Sequence, residues 1–154
     1  MAGDEEEDLT PTIKAYLQAP KVISGRVLWR NKRHPDFSEV TLPVICTEMP
    51  EINGELRLTA HKTRVPPKYG FTLLVGSIRV VGLDVSPGRT HFNRKTLESV
   101  KSTHWQWFPS YEAESDERDL GHLEWLTEFC RMANIEFRST YKSPPHSPVQ
   151  LDLL

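Results

Sequence analysis

Between positions 79 and 104 the chain places an arginine, an aspartate, two histidines and an asparagine in one run, RVVGLDVSPGRTHFNRKTLESVKSTH. Imidazole changes charge near neutral pH, so His91 and His104 can each take up or give away a proton under ordinary conditions. Two imidazoles across a cleft, with Arg79 beside them, form the set that breaks RNA without a metal. One takes the proton of a ribose 2′-hydroxyl, the other protonates the leaving 5′-oxygen, and the guanidinium holds the charge gathering on phosphorus. The same residues fit other chemistry. The imidazoles can pin loops by bonding backbone groups, or contact phosphate in a protein that only binds. With Asp84 they make two nitrogens and one carboxylate of a divalent-metal set, although the spacing matches no compact metal motif. The metal-free reading needs no cofactor.

The elements that must position these groups are set by patterning. Arg79 lies within YGFTLLVGSIRVVGLDV, residues 69–85, a long apolar run expected as one strand or as two joined at Gly76, central and covered on both faces. An unpaired charge in such a strand costs several kcal/mol, so Asp84, at its carboxyl end, is expected to hold Arg79 in a bidentate pair. The stretch from Asp84 to Lys101 has no clear period and is expected as loop. His91 and Asn93, two apart, emerge on one side of it, and Arg94 and Lys95 come next as phosphate contacts. STHWQWF then returns as a strand with His104 and Gln106 on one face and Trp105 and Trp107 on the other, one of the tryptophans in the core.

Residues 1–9 form an acidic tail with almost nothing to bury, expected as disordered. TPTIKAYLQA is a short docking helix that ends at Pro20. Val22 to Trp29 is expected as a first strand, NKRHPD as a turn, and Phe37 to Ile45 as a second strand. GELRLTAHKTR alternates, with Arg57, Thr59 and His61 outward; together with Lys62 these form the better phosphate-tracking face. Asp119 is the expected cap of a helix over LGHLEWLTEFCRMANI. Its apolar positions are Leu120, Leu123, Leu126 or Trp125, Phe129 and Met132, and Asn134 is its stop. Ile135 to Phe137 adds a short segment, and residues 143–154 form a Pro-rich extended tail. The expected class is α+β: a mainly antiparallel sheet with a C-terminal helix packed on one face and a short N-terminal helix, in a single domain over residues 10–142.

Charge is unevenly spread. The formal balance of −2 includes five acids between Asp4 and Asp8, and the rest of the chain carries 19 basic against 16 acidic residues. Residues 21–109 hold 14 Lys and Arg against 7 Asp and Glu, with four of the six histidines, which suits a polyanion such as RNA as partner. The other reading is that the cations are scattered over solvated strand faces, and a protein partner also stays open. The acidic tail can compete for the same surface. Cys46 and Cys130 lie in apolar surroundings without a CxxC pair, as buried free thiols do in a reducing cytoplasm. No stretch approaches a membrane span, and no secretory leader is recognisable, so a cytoplasmic protein is expected.

At the same residues the chain resembles a family of small, uncharacterised prokaryotic domains. Its members carry an Arg and an Asp on a strand, His-x-Asn-Pro in a loop, then His-x-His, and end in a helix near Phe-Cys-x-Ile. The matching residues are Arg79, Asp84, His91-Phe92-Asn93, Thr103-His104, Phe129-Cys130 and Ile135, within residues 69–137. The layout is also similar to toxins of toxin–antitoxin pairs, which place an Arg-x-Asp strand before paired histidines. The resemblance implies a prokaryotic or phage-linked defence or toxin role. Two positions differ: Arg94 stands where the family has Pro, and Gln106 where it has the second His of His-x-His. Glutamine can orient a group but cannot transfer a proton at neutral pH.

Overall fold

The computed structural model describes residues 8–31, 35–87, 90–93, 98–101 and 103–147, of which 90–93 and 98–101 are described as backbone. The chain runs α1 (Thr10–Gln18), β1 (Lys21–Ile23), β2 (Arg30–Asn31), β3 (Phe37–Val44), β4 (Gly54–His61), β5 (Tyr69–Val75), β6 (Ile78–Val85), β7 (Thr90–Asn93), β8 (Glu98–Lys101), β9 (His104–Trp107), β10 (Ala113–Ser115), α2 (His122–Met132) and β11 (Ile135–Phe137). Seven strands form an antiparallel sheet in the order β10-β9-β6-β5-β4-β3-β2, and β1 pairs with β11 in parallel. The class is α+β, as the patterning implies.

Alternation sorts the sheet residues between two faces. Val40, Leu42, Leu56, Leu58, Phe71, Leu73, Val81, Leu83 and Trp105 are buried, in one core with Trp125, Leu126 and Phe129 of α2 and Ile13 and Tyr16 of α1. Phe129 stacks on both Phe71 and Trp105, which ties α2 to the middle of the sheet. Each such ring removes enough apolar surface from water to be worth about 2–3 kcal/mol. The first helix is closed by Lys21, whose buried ammonium spends its three protons on the carbonyls of Tyr16, Leu17 and Ala19 at 2.6–2.9 Å. Burial lowers the pKa of that ammonium to about 8. Cys46 and Cys130 are buried and free.

Four expectations are corrected. The first strand covers only Lys21–Ile23, and the chain leaves it to bridge at Arg26 before pairing again at Arg30. The stretch from Asp84 to Lys101 is not all loop. Asp84 and Val85 complete β6, and β7 pairs with β8 in a hairpin of its own, matching Thr90 to Lys101 and Asn93 to Glu98. The cap of α2 is Gly121 rather than Asp119. The Gly121 amide donates to the Glu124 carboxylate, which brings the acid into the first turn. The buried stripe of α2 is His122, Trp125, Leu126, Phe129 and Cys130, so Leu123 and Met132 face outward. Asn134 ends the helix in the left-handed region at φ 55°, as its side chain tolerates.

His122 is the polar member of that stripe. It is only 6% exposed, among the rings of Trp29, Tyr69, Phe71 and Tyr141 at centroid distances of 4.8–5.8 Å. Its Nδ1 meets the Tyr141 hydroxyl at 2.7 Å, and its Nε2 has no partner among the described residues. Tyr141 thereby fastens the segment after β11, which is also held where Trp29 Nε1 donates to the Lys142 carbonyl.

Burial pushes the His122 pKa down to about 4. In the unfolded chain it titrates near 6.5, so below that pH the unfolded state takes up a proton that the fold excludes. Stability is therefore full above about pH 6.5 and falls by up to about 3 kcal/mol as the pH drops to 4. Urea denaturation across this window should show the slope, and His122→Phe should flatten it. Asp116 and Glu128, each held near pKa 2 by arginine hydrogen bonds, lose their contributions below that window.

Candidate functional site

The polar face of the sheet gathers Arg57, Arg79, Asp84 and His104 from the residues singled out by their chemistry. Register sets them in rows across the strands. Thr41, Arg57, Thr72, Gly82 and Gln106 stand opposite one another in turn, and so do Glu39, Thr59, Gly70, Asp84 and His104. Asp84 and His104 are direct cross-strand neighbours, half-buried, with Cβ atoms about 5 Å apart by the geometry of such pairs.

Arg79 reaches this face because β6 carries an extra residue. Leu73 pairs with Val81 but Leu74 pairs with Arg79, which leaves Val80 without a partner on β5. Five residues separate Arg79 from Asp84, an odd number, so a regular strand would point them to opposite faces. The bulge restores them to one. It also removes the guanidinium from the core side, where Val80 and Val81 are fully buried.

The expected Arg79–Asp84 pair does not form. The Arg79 side chain passes over Gly82, where an added Cβ would lie 3.1 Å from its Cδ, and Nη1 donates to Gln106 Oε1 at 3.2 Å. Gln106 Nε2 in turn donates to the Tyr111 carbonyl, and the Tyr111 hydroxyl donates to the Arg79 carbonyl at 2.7 Å. This closed ring joins the start of β6 to the turn after β9. It delivers the guanidinium to the row beside His104, one alternate step or about 7 Å along the strand. Glycine inside an apolar strand is a sign of close approach by another group, and Gly82 is the sequence signal for this path.

Asp84 is held from the hairpin neck. Ser86 Oγ donates to Asp84 Oδ1 at 3.5 Å, and the Ser86 amide donates to the Thr103 hydroxyl at 3.1 Å. Thr103 and His104 thus have separate tasks: the first closes the neck, and the second stands opposite the carboxylate. His91 and Asn93 occupy alternate positions of β7, but their side chains lie outside the described residues, as do Arg94 and Lys95 entirely. Among the described residues, no three His, Cys, Asp or Glu side chains cluster as metal ligands do.

The second cationic group lies on and after β4. Arg57 is exposed on the polar face. His61 pins a loop: its Nδ1 accepts the amides of Thr63 and Arg64 at 3.2 and 3.1 Å, and its ring meets Phe37 edge-on. Lys62 donates its amide to the Asp36 carbonyl. Trp105 is the core tryptophan, with its Nε1 bonded to Asp116, while Trp107 stacks on it and is half-buried.

No protein-family model, curated protein or solved structure matches the chain. No helix among the described residues is long and apolar enough to cross a membrane.

The ring through Tyr111 is open to a direct check. Tyr111→Phe removes one hydroxyl bond to a backbone carbonyl and should cost about 1 kcal/mol in chemical denaturation while leaving the circular dichroism of the sheet unchanged. No loss of stability would mean that the ring does not constrain the start of β6.

Proposed function

We propose that the polar face of the sheet is a metal-free RNA-cleaving site of a toxin-like or defence-associated protein acting in the cytoplasm. One observation carries the proposal: Asp84 stands opposite His104 while Arg79, turned across Gly82, brings its guanidinium to the adjoining position. In this reading Asp84 orients the His104 imidazole, and the imidazole moves a proton at the scissile phosphodiester. The ribose 2′-oxygen bonds to phosphorus as the bond to the 5′-oxygen breaks. One group receives the 2′-hydroxyl proton, and another gives a proton to the leaving oxygen. The products are a 2′,3′-cyclic phosphate and a 5′-hydroxyl end. Arg79 offsets the charge on phosphorus, and His91 is the second proton carrier that the sequence supplies. The similarity of the Arg79, Asp84, His91-x-Asn93 and Thr103-His104 pattern to prokaryotic toxin-like domains supports the same reading.

A non-catalytic module that binds nucleic acid or a protein is the second reading, and a specific feature favours it. Gln106, which cannot carry a proton, takes up the Arg79 guanidinium, and a bound cation of this kind suits holding phosphate better than following a reaction.

Purified protein incubated with single-stranded RNA in a metal chelator should yield cyclic-phosphate ends and leave the all-deoxy strand intact. His104→Ala and His91→Ala should each slow cleavage by about 10²-fold or more, and Asp84→Asn by a smaller factor, with the fold retained. Cleavage that needs a divalent metal, or that is indifferent to His104→Ala, sinks the mechanism. Salt-sensitive binding without any cleavage establishes the module instead.

A further inference from the structure

One corner of the sheet carries a local run of cations. Antiparallel register brings the β4–β5 loop (residues 62–68) to the end where β6 finishes and β9 begins: His61 pairs with Phe37, Tyr69 with Val85, and Asp84 with His104. That loop carries Lys62, Arg64 and Lys68 and no acid. At the opposite end lie Glu48, Glu51, Glu55 and Glu112, with Arg79 already bonded to Gln106. Among the described residues, neither Lys62, Arg64 nor Arg57 meets a carboxylate, whereas Arg118, Arg131 and Arg138 elsewhere each do. Lys68 lies over the Phe37 ring. The acids at this end are Asp36, whose carbonyl accepts the Lys62 amide, Glu39 and Asp84 in one row, and, on the far side of β9 where β10 finishes, Asp116 and Glu117, of which Asp116 is paired with Arg118.

The loop is also firmly built. The His61 ring takes two of its amides, and the His61 amide donates to the Lys68 carbonyl. The C-terminal segment closes it from the other side, where His146 Nε2 meets the Arg64 carbonyl at 2.8 Å and the Ser147 amide donates to the Lys62 carbonyl at 2.7 Å. These backbone groups are thus satisfied internally, and Lys62, Arg64 and Lys68 are each partly exposed.

We propose that this loop is the docking platform for the phosphate backbone of a single-stranded RNA, with Lys62 and Arg64 as the principal contacts, Lys68 and Arg57 flanking them, and His61 and His146 as positioning residues. β5, where the loop ends, is two strand spacings from β9, about 10 Å, so a strand held on the loop reaches the Asp84–His104 pair within a few nucleotides. The pair is half-buried, so the backbone must dip to meet it. A flexible single strand does this, and a duplex, stiff over lengths far larger than this protein, does not. The proposal rests on the RNA reading of the polar face, but it concerns binding and is separable from cleavage.

The test uses the full chain and a fluorescent single-stranded RNA 12-mer, 2′-O-methylated throughout so that it cannot be cleaved, with anisotropy read at several salt concentrations. Lys62→Glu combined with Arg64→Glu should weaken binding on the order of tenfold or more and reduce the salt slope by about 1.4, the value for two lost contacts to a single strand. His146→Ala should weaken binding by a smaller factor at unchanged slope, and Arg131→Glu on α2 should leave both quantities as they were. Unchanged affinity in the double variant, or equal affinity for a duplex of the same length, overturns the platform whatever the cleavage assay shows. Loss of cleavage in His104→Ala with 12-mer affinity retained supports both proposals. Affinity that depends on Lys62 and Arg64 in a protein that never cleaves RNA keeps the platform and removes the enzyme.

Discussion

Everything on the polar face depends on the unpaired residue in β6. Without Val80 as a bulge, Arg79 would share the side of Val81, Leu83 and Val85 and bring a guanidinium into the core, where an uncompensated charge costs several kcal/mol. With it, two consecutive valines are buried, the arginine turns outward, and its odd separation from Asp84 no longer divides them between faces. A bulge also increases local twist. It is anchored here on the other edge as well, since the Val80 carbonyl accepts the Phe108 amide.

That placement gives the two ends of β6 different work. At its start, Arg79, Gln106 and Tyr111 bond to one another in turn, which ties the guanidinium to the sheet through one of its N–H groups and leaves the others open. At its end, Asp84 and His104 sit where the chain leaves the sheet for the β7–β8 hairpin and returns through Thr103. A carboxylate steadied by Ser86 beside an imidazole is the part of the face suited to moving a proton. The Arg79 end is suited to holding charge, and Gly82 is the residue that lets the second reach toward the first.

Much of this is legible in the residues themselves. Strict alternation in GELRLTAH, the Gly76 break, the inward Trp105 and outward His104, and the left-handed stop at Asn134 are local signals, and each matches the fold. The failures share a cause in tertiary context. A bulge has no signature in RVV, so an Arg–Asp pair five apart can be imagined from the sequence but its actual partner, Gln106, cannot. The apolar stripe of α2 is displaced because His122, polar by type, is apolar by environment, enclosed by four aromatic rings. Residue type alone gives the Leu123 and Met132 positions to the core in its place. Asp119 is an adequate cap by type, but Glu124 reaching back to Gly121 satisfies the same free amide from inside the helix. For His61 the structure shows a task that residue type does not announce: its ring nitrogen accepts two amides of the loop that carries Lys62, Arg64 and Lys68.

The C-terminal segment shows why these local rules meet in one surface. Residues 141–147 have no regular structure, and a Pro-rich stretch of this kind gains little from its own backbone. It is held instead by Tyr141 in the aromatic cluster, by Trp29 on the Lys142 carbonyl, and by the bonds of His146 and Ser147 to the β4–β5 loop. The buried imidazole of His122 is therefore connected, through a short run of chain, to the carbonyls that keep Lys62 and Arg64 in place. Loosening the aromatic cluster would weaken the hold of the C-terminal segment on the loop, while the His61 bonds and the β4–β5 pairing remain. One side of the β4–β5 loop is in this sense tied to the core, through the ring contacts that enclose His122 and Tyr141.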